Sequence, residues 1–252
     1  MDDASVARAA ALLVGARRTA VPLERLPETC RPATAADALR IQEASVLALG
    51  DRVAGWKVGT RMDGRIAYGV LLASRVVPSG ATVDARTVPL LGMEAEIAFR
   101  FVRAAPPRAQ AYTYDEVAER VDAFVAIEVV DTRYRDYAGT PVIERLADCM
   151  SNGAFVVGTG RPDWRRFDFR TVAAALHFDE RLVVEKTGGH ASGDPLLPAV
   201  DLVNDLRTEG GVAAGQVMTT GTFTGLNYAT GATRVRATFA GFGVAELTLA
   251  RA

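Results

Sequence analysis

The chain has 252 residues, about 49% of them hydrophobic, and a formal net charge of −1. That length allows a sizeable core, and the near-neutral charge leaves no electrostatic footprint for nucleic acid or an anionic membrane surface. No stretch approaches the roughly 20 uncharged apolar residues of a bilayer crossing, and the opening MDDASVARAAALLVGARR lacks the basic start of a secretory signal, so a cytoplasmic location is expected.

The first fifty residues read as helical. Residues 4–17 are Ala-rich, with Val6, Ala9, Leu12 and Leu13 at helical spacing. A Pro-bearing connection from Val21 to Pro32 follows. Thr34, with Asp37 three residues on, is an N-cap signal for a helix running to Gly50, and Leu39, Val46 and Leu47 are its expected core-facing stripe. Beyond Gly50 the texture becomes strand-like: residues 52–60, 70–72, 76–77 and 92–102 are candidate strands. Thr113 with Glu116 predicts a helix over 114–121, and residues 124–130 a further strand. Residues 141–150 read as helical and 154–158 as extended.

In the last third, 172–178 and 182–186 form a predicted hairpin about Asp179-Glu180. Residues 196–206 are a strongly amphipathic helix ending near Gly210-Gly211, and 217–220 read as a strand. Residues 233–239 and 244–249 make a second hairpin around Gly241-Phe242-Gly243. The pattern is that of an α+β chain with mixed or antiparallel sheet, without βαβ alternation or a phosphate loop. The expected division is a helical N-terminal region over 1–52 and a β-rich catalytic domain over 53–252, together one structural unit.

Cys30 and Cys149 are far apart without CxxC spacing, so both are expected reduced and chemically silent. His177 and His190 lack companions at ligand spacing. The first lies in an apolar run and reads as a satisfied structural histidine; the second follows Gly188-Gly189 and is a weaker candidate for lining a site.

The chemistry concentrates in Gly92-Met93-Glu94-Ala95-Glu96-Ile97-Ala98-Phe99. Residues two apart on a strand share a face, about 6.6–6.8 Å apart along it, so two glutamates there can converge on one ion while Ile97 and Phe99 pack behind. Glu128 sits inside the apolar run 124–130, where a charge is costly unless paired or metal-bound. An all-oxygen set of three carboxylates favours magnesium or manganese over zinc. Taken alone, the same residues also fit the solvent face of an edge strand, with Glu128 paired to an arginine such as Arg133.

At these residues the sequence resembles the fumarylacetoacetate hydrolase superfamily, in its branch of 2-keto-4-pentenoate hydratases and 4-oxalocrotonate decarboxylases. Gly55-Trp56-Lys57-Val58-Gly59-Thr60 is similar to that family's G-x-K-[IV]-G segment, and Glu94-Ala95-Glu96-Ile97-Ala98 to its E-x-E-I-A strand. Residues 126–134 (AIEVVDTRY) resemble its A-x-E-[IV]-[VI]-D-[ST]-R block. Residues 151–158 resemble the segment that follows it, and Met218-Thr219-Thr220-Gly221 a V-x-T-G turn. The resemblance runs through most of the chain.

The resemblance implies a mixed β-roll-like catalytic core behind a helical N-terminal part, assembled as a homo-oligomer. It implies Mg2+ or Mn2+ on Glu94, Glu96 and Glu128, an active-site lysine at Lys57, and a substrate pocket at Ser151, Asn152, Thr220 and Gly221. The substrate is a small 2-keto acid of the kind met in aromatic catabolism, chelated through carboxylate and keto oxygen. Lys57, in a partly desolvated pocket, is expected to have a lowered pKa and to pass protons or anchor the substrate anion. The family's hydratases carry an acid before an aromatic-glycine pair; here Ala67 precedes Tyr68-Gly69, and Asp63 is the nearby substitute. Three functions stay open: a hydratase-type lyase, a decarboxylase or carbon–carbon hydrolase, and a non-catalytic keto-acid binder. Arg61, Arg65 and Arg133 are candidates for a second substrate carboxylate, or ordinary ion-pair residues.

Overall fold

The computed structural model describes residues 1–250. Helices α1 (Asp3–Thr19) and α2 (Ala35–Leu49) open the chain. The Thr34–Asp37 capping box starts α2, each side chain bonding the other's backbone N–H, and Gly50 ends it in the left-handed conformation. The buried stripe of α2 is Ala38, Ile41, Gln42, Ser45 and Val46. Leu47, expected in that stripe, is 74% exposed. It lies one residue, about 100° around the helix, beyond Val46.

The strands in chain order are β1 (Val53–Met62), β2 (Arg65–Leu72), β3 (Val76–Pro78), β4 (Ala81–Asp84), β5 (Gly92–Phe101), β6 (Val121–Val130), β7 (Asn152–Val157), β8 (Ala173–Phe178), β9 (Arg181–Thr187), β10 (Val217–Thr222), β11 (Asn227–Tyr228), β12 (Thr233–Phe239) and β13 (Gly243–Ala250). Between them lie α3 (Tyr114–Ala118), α4 (Val142–Ala147) and α5 (Leu196–Leu206). The capping box at Thr113–Glu116 is present, but α3 stops three residues short of the predicted 121 because Val121 already pairs with Phe101. The predicted helix over 141–150 breaks after Ala147, where Cys149, Met150 and Ser151 all take positive φ (51°, 51° and 60°). β4 and β11 carried no usable sequence signal, being four and two residues long.

Two sheets form. The larger runs β2-β1-β10-β5-β6-β7-β3, with β11 also on β5; the smaller runs β4-β13-β12-β8-β9. Most pairs are antiparallel, while β1–β10, β3–β7 and β4–β13 are parallel, giving the mixed architecture expected. The main core fills the space between the sheets: Met93, Ala95, Ile97 and Phe99 of β5 and Val125, Ile127 and Val129 of β6 meet Val235, Ala237 and Phe239 of β12 and Leu247 of β13. Alternation then forces Glu94, Glu96 and Glu128 onto the opposite face, beside Ala98 and Ala126. A second core joins the N-terminal helices to Tyr134, Leu146 and Ala147, anchoring α1 and α2 against the strand-to-helix segment after β6. No described helix is long and apolar enough to cross a membrane.

Candidate metal centre

Glu94 and Glu128 are directly opposite in the β5–β6 ladder, and Glu96 follows two residues along β5. Side chains so paired start about 4.5–5.5 Å apart, and like charges there repel. One carboxylate oxygen from each of the three residues lies within 4.8 Å of the others. Glu96 and Glu128 are fully buried, and Glu94 is nearly so.

Each glutamate has a distinct set of partners. Lys57 Nζ is 3.0 Å from Glu128 Oε1 and 3.8 Å from Glu94 Oε2. Asn152 Nδ2 donates to the same Glu128 oxygen at 3.2 Å, and the Thr219 hydroxyl donates to Glu96 Oε2. Glu128 Oε2 is buried and has no partner. Burial pushes the Glu94 carboxyl up to about 7; Lys57 opposes the rise and Glu128 adds to it. Burial raises Glu96 further, helped by Glu128 and Glu94. A hard divalent cation matches this donor set: it takes an orphaned carboxylate oxygen and removes the repulsion of a like-charged pair.

Lys57 departs from expectation. Burial acts to lower its pKa, but Glu128, Glu94 and Glu96 together outweigh burial and raise it. The side chain is therefore an ammonium that donates, not a neutral amine that accepts.

Beside the lysine opens a cavity of about 210 Å³, with Lys57, Ala67, Tyr137, Arg145 and Ser151 among its lining residues. Ser151 Oγ and Arg145 Nε are buried without partners. Ser151 is placed by the left-handed triplet 149–151, and Gly69 lets that triplet approach, since a Cβ at Gly69 would stand 2.3 Å from the Cys149 carbonyl oxygen. Arg145 shares one face of α4 with Val142 and Leu146, and its guanidinium lies 5.2 Å from the Tyr137 ring centre. Neither Arg145 nor Tyr137 stood out in the sequence, because a short helix after Pro141 gives no indication of which face meets a cavity.

The remaining sequence candidates do not line this cavity. Thr220 and Gly221 lie in a bulge of β10: Thr219 pairs with Ala98 and Thr222 with Glu96, so two residues of β10 stand against one of β5, and Gly221 has φ +124°. Thr220 Oγ1 is buried and unpartnered, and the Thr220 carbonyl is held by His190 Nε2 at 3.0 Å. His190 thus supports the bulge, with its other nitrogen 2.8 Å from Ser192 Oγ. Asp63 sits at the exposed tip between β1 and β2, does not line the cavity, and accepts from the Ala35 N–H at 3.0 Å. Its carboxylate serves the start of α2.

The three arginines considered for a second carboxylate are all engaged. Arg61 pairs with Asp201, Arg65 with Glu209, and Arg133, fully buried, with Asp148 and Asp131 rather than Glu128. His177 is not the satisfied histidine expected, since its Nδ1 is buried without a partner. Cys30 and Cys149 are free and buried.

The architecture has close counterparts among solved structures. Over 99% of this chain and 98% of the other, it superposes on 4-oxalocrotonate decarboxylase from Pseudomonas putida G7, complexed with magnesium and adipate, with a TM-score of 0.84 and 22% identity. A fumarylacetoacetate hydrolase family protein from Yersinia pestis CO92 matches 77% of this chain and 91% of its own, with a TM-score of 0.55 and 14% identity. This is the fumarylacetoacetate hydrolase fold. The fold also covers maleylpyruvate hydrolase from Sphingobium sp. SYK-6, in complex with manganese and pyruvate, which matches 78% of this chain and 69% of its own with a TM-score of 0.53 and 16% identity. No protein-family model matches the sequence, and a comparison with curated proteins finds no match.

Proposed function

We propose that the protein is a divalent-metal-dependent lyase that decarboxylates a small 2-oxo acid, with Glu94, Glu96 and Glu128 as the metal ligands. The observation that carries this reading is a buried three-carboxylate cluster, with an orphaned Glu128 oxygen and an ammonium in contact, set beside a cavity whose wall at residue 67 is only a methyl group. A divalent cation held there supplies Lewis-acid charge to the carboxylate and oxo oxygens of a 2-oxo acid.

The chain's own groups define the rest. Lys57 donates from a charged Nζ and keeps a proton close to the reacting end of the substrate. Ser151 Oγ and Arg145 Nε are buried donors that a bound acid satisfies, so an acid with a second anionic group suits the cavity. When carbon dioxide leaves, the bonding electron pair stays on the substrate and delocalises toward the 2-oxo oxygen, where the fixed positive charge of Lys57 stabilises it.

Hydration needs a group that activates water. Ala67 supplies none, and Asp63 is spent on α2. Decarboxylation needs no such base, and it is the activity named for the neighbour of highest similarity reported above.

The test is to incubate metal-stripped protein with 2-oxohex-3-enedioate and with 2-hydroxypenta-2,4-dienoate, with and without Mg2+ or Mn2+, and to identify products by NMR. Metal-dependent release of carbon dioxide from the first is expected. Water addition to the second, without carbon dioxide from the first, would replace decarboxylation with hydration.

A further inference from the structure

Three consecutive non-glycine residues in the left-handed region are strained, and such strain persists only where surrounding contacts over-determine it. At Cys149–Ser151 those contacts come from a buried cluster of four charges. Arg133 donates through its backbone N–H and its Nε to the Asp148 carboxylate at 3.0 and 2.5 Å, and through Nη2 to the Asp148 carbonyl at 3.2 Å. Its Nη1 reaches Asp131 at 3.2 Å, and the Asp131 N–H in turn holds the Ser151 carbonyl at 2.9 Å. The fourth member is Arg17, which comes from α1. Its Nη2 donates to the Asn152 carbonyl at 3.0 Å and lies 4.0 Å from Asp148 Oδ1, with the side chain 10% exposed.

Arg17 therefore fixes the residue whose side chain bonds Glu128 (Asn152), next to the residue whose hydroxyl is orphaned in the cavity wall (Ser151). We infer that Arg17 is a positioning residue for the metal centre: through the Asn152 carbonyl it locks the 148–152 turn in register with β6, so that Asn152 Nδ2 stays on Glu128. α1 touches no ligand, yet it sets ligand geometry. The inference rests on the metal-site reading above. It gives the N-terminal helix a direct part in the site, in addition to its packing against Leu146 and Ala147.

The test is Mn2+ binding to the full chain, by calorimetry on metal-stripped protein, for the wild type and for Arg17→Ala, Asn152→Ala, the double variant, Glu96→Gln and Val14→Ala. Hydrogen-bonding partners of metal ligands typically carry about 10–100-fold in affinity. Arg17→Ala and Asn152→Ala should each weaken Mn2+ binding by a factor in that range. The double variant should be hardly weaker than either single one, because both act through one contact. Val14→Ala removes buried side chain from the same helix, so it should lower thermal stability while leaving Mn2+ affinity intact.

If Arg17→Ala fails to fold, Arg17→Lys serves in its place, since it keeps the positive charge but lacks the planar, pre-organised guanidinium and its reach; an intermediate loss is expected. Arg17 variants that bind Mn2+ as the wild type does, while Glu96→Gln does not, would overturn the inference and leave the metal site standing. So would a loss in Val14→Ala as large as in Arg17→Ala. Equal binding by wild type and Glu96→Gln would overturn the metal site itself.

Discussion

Lys57 Nζ lies 3.0 Å from Glu128 Oε1 although their strands are not neighbours: β10 and β5 run between β1 and β6. Three strand spacings of about 4.8 Å put roughly 14 Å of sheet between the two backbones, farther than a lysine side chain extends. The large sheet must therefore curl, and the carboxylates sit on its concave face. Curvature brings together what sequence separation and strand order both keep apart.

The first prediction concerns the charge on Lys57. Because its ammonium is held by Glu128 and Glu94, with the charge of Glu96 nearby, it contributes a fixed positive charge and not a base. Lys57→Met should reduce kcat by about 10²–10⁴-fold, the range of a positioned proton-handling group, while Mn2+ affinity does not fall, since a competing cation has been removed from the ligands. Steady-state kinetics beside calorimetry separate the two effects. A loss of Mn2+ affinity parallel to the loss of kcat would show that the lysine supports the ligands instead.

Much of this arrangement was legible beforehand, and the reasons differ by residue. Alternation on β5 and the burial cost of a lone charge in 124–130 pointed to Glu94, Glu96 and Glu128, because strand periodicity is a local property. The strand pairings that curl the sheet are non-local, so the sequence alone left the Lys57–Glu128 contact open, and Arg133 stood as an equal partner for Glu128. Distances also decide pKa directions: desolvation alone lowers a lysine, and only the three carboxylates around Nζ reverse the sign. Asp63 is only the nearest acid along the chain. The turn between β1 and β2 points it at Ala35 instead. Arg145 was invisible because nothing in residues 141–147 reveals a cavity beside that helix.

The missing acid gives the second prediction. Ala67 lines the cavity with Lys57 and Ser151 and is 7% exposed. Ala67→Glu places a carboxyl where only a methyl group now stands, so water addition to 2-hydroxypenta-2,4-dienoate should appear or increase, at some cost in stability for a buried acid. NMR of the product mixture measures it. A folded Ala67→Glu variant with unchanged product distribution would mean that the identity of residue 67 does not decide between the two reactions.

The third prediction is a pH dependence with a definite sign. The Glu94 carboxyl is raised from its ordinary value of 4.5 to about 7, so between those values the folded protein keeps a proton that the unfolded chain has lost. Through this group, stability of the metal-stripped protein falls as pH rises from about 4.5 to about 7. Cation binding displaces the same proton, so affinity rises over that window, and Glu96, raised further, carries the rise to higher pH. Thermal unfolding at pH 5, 6, 7 and 8, with and without Mn2+, should show the metal-induced gain in Tm growing with pH. An equal gain at pH 5 and pH 8 would contradict the raised carboxyl.

The fourth prediction tests the left-handed turn from its other side. A Cβ at Gly69 would stand 2.3 Å from the Cys149 carbonyl oxygen and 2.9 Å from the Met150 Cβ, both parts of the triplet that presents Ser151. Neither atom is the end of a flexible side chain, so Gly69→Ala must push the turn away from β2. Overpacking of this kind costs about 1–3 kcal/mol. Ser151 Oγ and Asn152 Nδ2 move with the turn, so Gly69→Ala should raise KM for the 2-oxo acid and weaken Mn2+ binding together. By contrast, Gly64→Ala, at a positive φ (+81°) but with nothing within 4 Å of an added Cβ, should lose stability and leave both binding constants unchanged. Equal effects of the two substitutions on Mn2+ affinity would mean that the Gly69 contact does not set the geometry of the site.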